Sequence, residues 1–137
     1  MTTRPSPSAA TPPGVVTVPV PGGTALRISE TVLFDGNSAR LRPSAVQLIE
    51  SIAAQLRNAG PGRIDVLGHT ADVGPGEGSE LSQRRADAVA EVLRASLAGS
   101  PLMVKAKGLG ESQPVAPNNT EENRSKNRRV EIVHIAT

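Results

Sequence analysis

The sequence predicts an α/β (α+β) domain, a two-layer sandwich in the order β-α-β-α-β-(α)-β, with helices packed on one face of a mixed four-stranded sheet. Three observations predict it. Apolar residues switch between strand and helix periods along the chain, prolines and glycines stand where the period changes, and the last apolar run is apolar on both faces.

The elements follow in chain order. Six of the 12 prolines lie in the first 21 residues, mixed with Ser, Thr and Ala and a single charge, Arg4. That composition predicts a semi-extended linker over residues 1–25 and a folded domain over 26–137. Arg27 to Phe34 reads as a first strand with a break near Ser29-Glu30, followed by the turn chemistry of Asp35-Gly-Asn-Ser. From Pro43, a good first helical residue, Val46, Ile49, Ile52, Ala53 and Leu56 recur at helical spacing until Asn58-Ala-Gly60 ends the helix. Arg63 to Thr70 is a short second strand, and after a Gly-rich loop Ser79 is placed to cap a second helix running to about Leu97. Leu102 to Leu109 is a third strand; Thr120 caps a short helix through Lys126, and Val130 to Ile135 is the last strand. No internal repeat is visible.

Composition excludes several chemistries. The 137 residues, 37% apolar, suffice for one aliphatic core and no more. With no Cys there is no disulfide framework, thiol nucleophile or Cys-containing zinc site, and His69 and His134 alone supply a metal site poorly, so no metal or cofactor is expected. Net charge is +2, the basic residues are scattered, and Phe34 is the lone aromatic, so there is no base-stacking platform and no nucleic-acid partner is expected. No stretch reaches the roughly 18 apolar residues of a membrane span, and Met1-Thr-Thr-Arg-Pro lacks an apolar signal core. Neither an activated nucleophile nor a paired acid and base is present, and no catalytic residue is assigned.

Two features break the bland pattern. On the second helix, at about 100° per residue, Arg85 falls about 40° from Leu81 and inside the stripe formed with Ala88, Val89 and Val92. A guanidinium on an apolar face demands a partner. That partner is either an internal carboxylate, such as Asp72, Asp35 or Glu111, or a ligand carboxylate received bidentately. The second strand also empties into Gly68-His-Thr-Ala-Asp-Val-Gly74, a polar loop leading to the same helix, and such strand ends hold ligands in α/β sheets. His69 reads as a hydrogen-bonded structural histidine. Asp72 with Arg85 offers one negative and one positive group, the complement of a zwitterion. Near the C-terminus, Arg128-Arg129 places two cations at the mouth of the last strand, as a surface charge pair or as a second anion contact. Gly74-Pro-Gly-Glu-Gly lacks the Lys-Ser/Thr of a phosphate loop.

These residues together resemble a known pattern. Phe34-Asp-Gly-Asn-Ser-Ala-Arg-Leu, Gly68-His-Thr, Leu81-Ser-Gln-Arg-Arg-Ala-Asp-Ala-Val, Gly108-Leu-Gly-Glu-Ser-Gln-Pro, Asn119-Thr and Asn127-Arg-Arg-Val-Glu-Ile occur in the order and approximate spacing of the OmpA-like C-terminal domain, a family that includes Pal lipoproteins and MotB stator proteins. The resemblance covers roughly residues 26 to 137. It implies the same two-layer fold, no enzymatic activity, a place in the cell envelope, and non-covalent binding of peptidoglycan through the diaminopimelate of a stem peptide. It also implies a membrane-anchored or fused N-terminal partner. Arg85 then takes the ligand carboxylate, Thr70 and the helix N-terminal amides add hydrogen bonds, and Arg128 or Arg129 matches an arginine pair near the family pocket. The family's usual Asp after Gly-His-Thr is Ala71 here, with Asp72 one step later. The implied ligand-binding set is Thr70, Asp72, Leu81, Arg85, Arg128 and Arg129. The alternative is a degenerate member that acts as a protein-interaction or dimerisation module, with Arg85 paired internally.

Overall fold

The computed structural model describes residues 14–36, 38–58, 60–71 and 77–136. Strands β1 (Val15–Val20) and β2 (Gly23–Ser29) form an antiparallel hairpin whose turn is Pro21-Gly22, with Gly22 at a φ of 79° that favours glycine. This corrects the expected linker, because residues 15–25 belong to the sheet; residues 1–13 lie outside the described ones. The physical reason is position. β1 is an edge strand, where Pro19 removes no needed ladder bond, and Val15 is its one fully buried side chain.

The expected first strand is split at the Ser29-Glu30 break. Ser29 caps a single helical turn, α1 (Glu30–Leu33), accepting from the Thr31 amide at 3.3 Å, and Phe34 then makes an isolated bridge to Leu41. Helix α2 (Pro43–Arg57) begins at its proline, as the periodicity implies, and buries Ala45, Ile49, Ile52, Ala53 and Leu56. Strand β3 (Gly62–His69) follows, then helix α3 (Glu77–Ser96), which starts two residues before Ser79, so that the expected cap lies inside its first turn. Strand β4 (Leu102–Gly110), helix α4 (Glu121–Asn127), capped by the Thr120 hydroxyl, and strand β5 (Arg129–Ala136) complete the chain.

The sheet has five strands in the order β1-β2-β5-β3-β4, one more than expected because of the hairpin. β3 and β4 are parallel, and β5 lies between β2 and β3, antiparallel to both. Because strand side chains alternate, Ile28, Ile64, Val66, Val130 and Ile132 share one face and form a single core with Leu33, Phe34, Ile49, Ile52, Ala86, Val89 and Leu93. Arg27, Asp65, His69, Arg129 and Glu131 take the opposite face.

Two glycines let α3 sit directly on the sheet. A Cβ at Gly68 would lie 2.2 Å from the Ser82 carbonyl oxygen, and one at Gly108 would lie 2.3 Å from the Gln83 nitrogen. Across that contact the Gly110 amide donates to Ser82 Oγ at 3.0 Å and the Gly108 amide to Gln83 Oε1 at 2.9 Å. The first turns of α3 are thereby locked to the ends of β3 and β4, which fixes where Arg85 stands.

Candidate functional site

Arg85 projects from α3 into the core-facing layer and is 3% exposed. Burying a guanidinium is tolerated only when its donors are used. Nε donates to the Ser38 carbonyl at 2.9 Å, Nη2 to the Gly36 carbonyl at 3.3 Å and Nη1 to Glu30 Oε1 at 2.5 Å, and Cζ stacks 4.9 Å above the centre of the Phe34 ring. The loop after Phe34 therefore wraps the arginine with backbone oxygens. Among the described residues the internal carboxylate is Glu30, and neither Asp35 nor Glu111 takes that place. Asp35 instead faces Arg42 at 3.9 Å, and Asp72 lies outside the described residues.

Glu30 has a second cation. Arg128 Nε lies 2.7 Å from Glu30 Oε2, and Arg128 Nη2 also bonds Glu121. Burial works against the charged form of Arg128, yet Glu121 and Glu30 outweigh it and raise its pKa above the ordinary arginine value. Side-chain exposure rises from 3% at Arg85 through 12% at Glu30 to 23% at Arg128, so the chain of charges runs from the interior to the surface.

Arg129 turns the other way. On the opposite face of the sheet its Nε donates to Glu131 Oε2 at 3.0 Å, Nη1 to the Asn127 carbonyl and Nη2 to the Gln113 carbonyl. Arg27 Nε reaches the same Glu131 oxygen at 2.9 Å. His69 Nε2 stands 3.3 Å from Glu131 Oε1, an ion-pair separation without the alignment of a hydrogen bond, and its Nδ1 has no hydrogen-bond partner among the described residues. Desolvation would push the Glu131 carboxyl up, but His69 and Arg129 together overcome it and hold the carboxyl at about 2. Of the arginine pair, Arg128 reaches the Arg85 cluster and Arg129 does not.

The remaining expected residues divide as well. Thr70 is buried where β3 ends, its amide donating to the Gly110 carbonyl at 2.9 Å and its hydroxyl lacking a partner among the described residues. Leu81 is half-buried on α3, one position before Ser82. Glu30 is the site residue that sequence reasoning missed. Its signal was the polar break before the apolar run Val32-Leu33-Phe34, visible as a break but not as a ligand for two arginines on distant segments.

Comparison with known proteins follows this geometry. The OmpA family profile matches residues 33–128. The outer-membrane lipoprotein YfiB of Pseudomonas aeruginosa is 41% identical over 108 residues, which cover 77% of this chain and 63% of that protein, so the chain spans less than two thirds of this relative. The T6SS cell wall anchor of Pseudomonas aeruginosa superposes with a TM-score of 0.79 at 31% identity, covering 90% of this chain and 89% of the other. The peptidoglycan-associated lipoprotein of Burkholderia pseudomallei gives 0.63 at 30% identity, covering 75% and 87%.

Proposed function

The chain belongs to the OmpA family of the cell envelope, and from that premise we propose that it binds cell-wall peptidoglycan non-covalently and tethers an envelope protein to the wall. Similarity to a cell wall anchor and to a peptidoglycan-associated lipoprotein supports the wall as ligand. The observation that carries the reading is the setting of Arg85. It is the one deeply buried arginine on α3, pre-positioned by two backbone carbonyls and an aromatic face beside the end of β3. Such a guanidinium loses little rotamer freedom when it meets a planar carboxylate.

In the finer reading, the diaminopimelate of a stem peptide places a carboxylate on Arg85 with Arg128 beside it. Its ammonium meets Asp72, and the Thr70 hydroxyl and Leu81 line the approach. Arg129 lies on the opposite face of the sheet, held by Glu131 and two carbonyls, and takes no part in this pocket. No bond is made or broken in this scheme, and the role is that of an anchor rather than a catalyst. Each contact of this kind contributes roughly 1.5–3 kcal/mol, so display of many copies on a polymeric wall supplies the holding strength.

One observation favours a second reading. The Arg85–Glu30 pair is the internal partnership expected of a module that has lost its ligand and serves protein interaction instead. Sedimentation with insoluble peptidoglycan separates the two. Binding by the wild type that is lost in Arg85→Lys, which keeps the charge but not the fork, supports the anchor; equal retention by both proteins sinks the assignment of Arg85. Asp72→Asn is expected to weaken retention less.

A further inference from the structure

We propose that Glu30 is a built-in competitor for the ligand carboxylate: in the free protein it occupies Arg85 and Arg128, and a carboxylate ligand binds by displacing it. The inference rests on the reading of Arg85 as the carboxylate fork.

Four observations carry it. Glu30 presents its two oxygens to two guanidiniums, Oε1 to Arg85 at 2.5 Å and Oε2 to Arg128 at 2.7 Å, which is the bridging arrangement a bound carboxylate would adopt there. Glu30 already sets a carboxylate against both Arg85 and Arg128, while Glu121 is shared between Arg128 and Arg124. An entering carboxylate therefore meets the like charge of Glu30 at both guanidiniums unless Glu30 withdraws. Third, Glu30 and Arg128 are more exposed than Arg85, so Glu30 stands between Arg85 and the more open end of the chain of charges. Finally, the backbone of Glu30 is held independently of its side chain. Its amide donates to the Arg128 carbonyl at 3.0 Å and its carbonyl accepts from the Phe34 amide at 2.8 Å, so the carboxylate swings by side-chain rotation while α1 stays in place.

The consequence is selectivity. A neutral ligand cannot compensate two arginines once Glu30 leaves, whereas a carboxylate can, so the exchange admits only ligands that replace the charge they remove. The same competition sets affinity below what the two arginines alone would give.

Glu30→Gln tests this. The probe is the synthetic tripeptide L-alanyl-γ-D-glutamyl-meso-diaminopimelate, titrated by calorimetry into the full chain, alongside the analogue with lysine in place of diaminopimelate, which lacks one carboxylate. Glu30→Gln is expected to bind the diaminopimelate peptide at least about fourfold tighter, the factor for removing a unit charge roughly 5 Å away at a water-like dielectric. The lysine analogue gains less. A residue with a merely structural role would weaken binding when altered, so unchanged or weaker binding by Glu30→Gln, with the wild type binding, overturns the inference and leaves the Arg85 reading standing. Should Arg85→Lys bind the peptide as well as wild type, or neither wild type nor Glu30→Gln bind it, the reading of Arg85 fails and this inference with it. If Glu30→Gln does not fold, carbon-13 spectra of the wild type decide. Saturating peptide must shift the Glu30 carboxyl resonance together with the Arg85 side-chain signal, and a shift at Arg85 alone overturns the proposal.

Discussion

Arg85 donates to Glu30 at 2.5 Å across 55 positions of sequence, joining the first helical turn to the third helix inside the protein. That single contact ties the functional reading to stability. Removing one partner leaves the other charged and buried, which is far costlier than never having had the pair.

Arg85→Met, which leaves Glu30 buried without this partner, should therefore destabilise the fold by about 3–5 kcal/mol, while the double change Arg85→Met with Glu30→Gln should recover a large part of that loss. Urea unfolding of the two single variants and the double variant measures the coupling. Additive losses would mean that the two side chains are not partners in solution.

Glu131 makes stability depend on acid. Its carboxyl sits at about 2, below the ordinary 4.5, so the fold favours its ionised form. A depressed value means that the contribution is complete above pH 4.5 and disappears as pH falls from 4.5 towards 2. The loss is on the order of 3 kcal/mol. Chemical denaturation across that range should show the decline, and Glu131→Gln should be less stable at pH 7 and flatter in acid. An equally steep curve in the variant would place the titrating group elsewhere.

At Gly68 an added methyl would press on the Ser82 carbonyl, which belongs to helix backbone and cannot rotate aside. Gly68→Ala should cost about 1–3 kcal/mol by forcing α3 off the sheet. It should also displace Arg85, which rides on that helix, so thermal unfolding and peptide binding should both suffer. A melting temperature unchanged from wild type would show that the contact is looser than it stands here.

Asn127 is fully buried and gives four hydrogen bonds to the segment before α4: its Oδ1 accepts from the Val115 and Ala116 amides at 2.7 and 3.1 Å, and its Nδ2 donates to the Ala116 carbonyl and to Asn118 Oδ1 at 2.8 and 2.7 Å. Asn127→Ala takes the acceptor from two amides and is expected to cost about 1–3 kcal/mol in all, because Val115 is exposed and Ala116 half-buried and water recovers part of the loss. Hydrogen exchange at residues 115 and 116 should accelerate well beyond the global change; protection that falls only in step with overall stability would contradict the pinning role.

The parts of the fold that were legible were those governed by local periodicity. Pro43, the Ile49-Ile52-Leu56 stripe and the apolar run at Val130–Ile135 announce α2 and the last strand through local periodicity. Arg85 was conspicuous because a cation on an apolar face has few explanations. What stayed hidden depends on distant partners. β1 is stabilised by pairing with β2 and by a glycine turn, and its prolines made the segment look unstructured. Glu30 gains its meaning only when α1, α3 and the end of α4 converge, and the divergence of Arg128 from Arg129 reflects a helix cap passing into a strand, which no spacing rule specifies.

The position of β5 also governs the order of assembly. The C-terminal one of the five described strands fills the middle of the sheet, with β2 on one side and β3 on the other. Until Arg129–Ala136 arrives, the chain holds only two separate ladders, β1 with β2 and β3 with β4, and neither can close the core. Pairing of β2 with β5 spans about a hundred residues, so the nucleus must pay a large loop-closure entropy before any of these contacts is rewarded. A chain emerging from its N-terminus thus keeps this domain open until β5 is made, and that eight-residue strand acts as the keystone that turns two half-sheets into one cooperative unit.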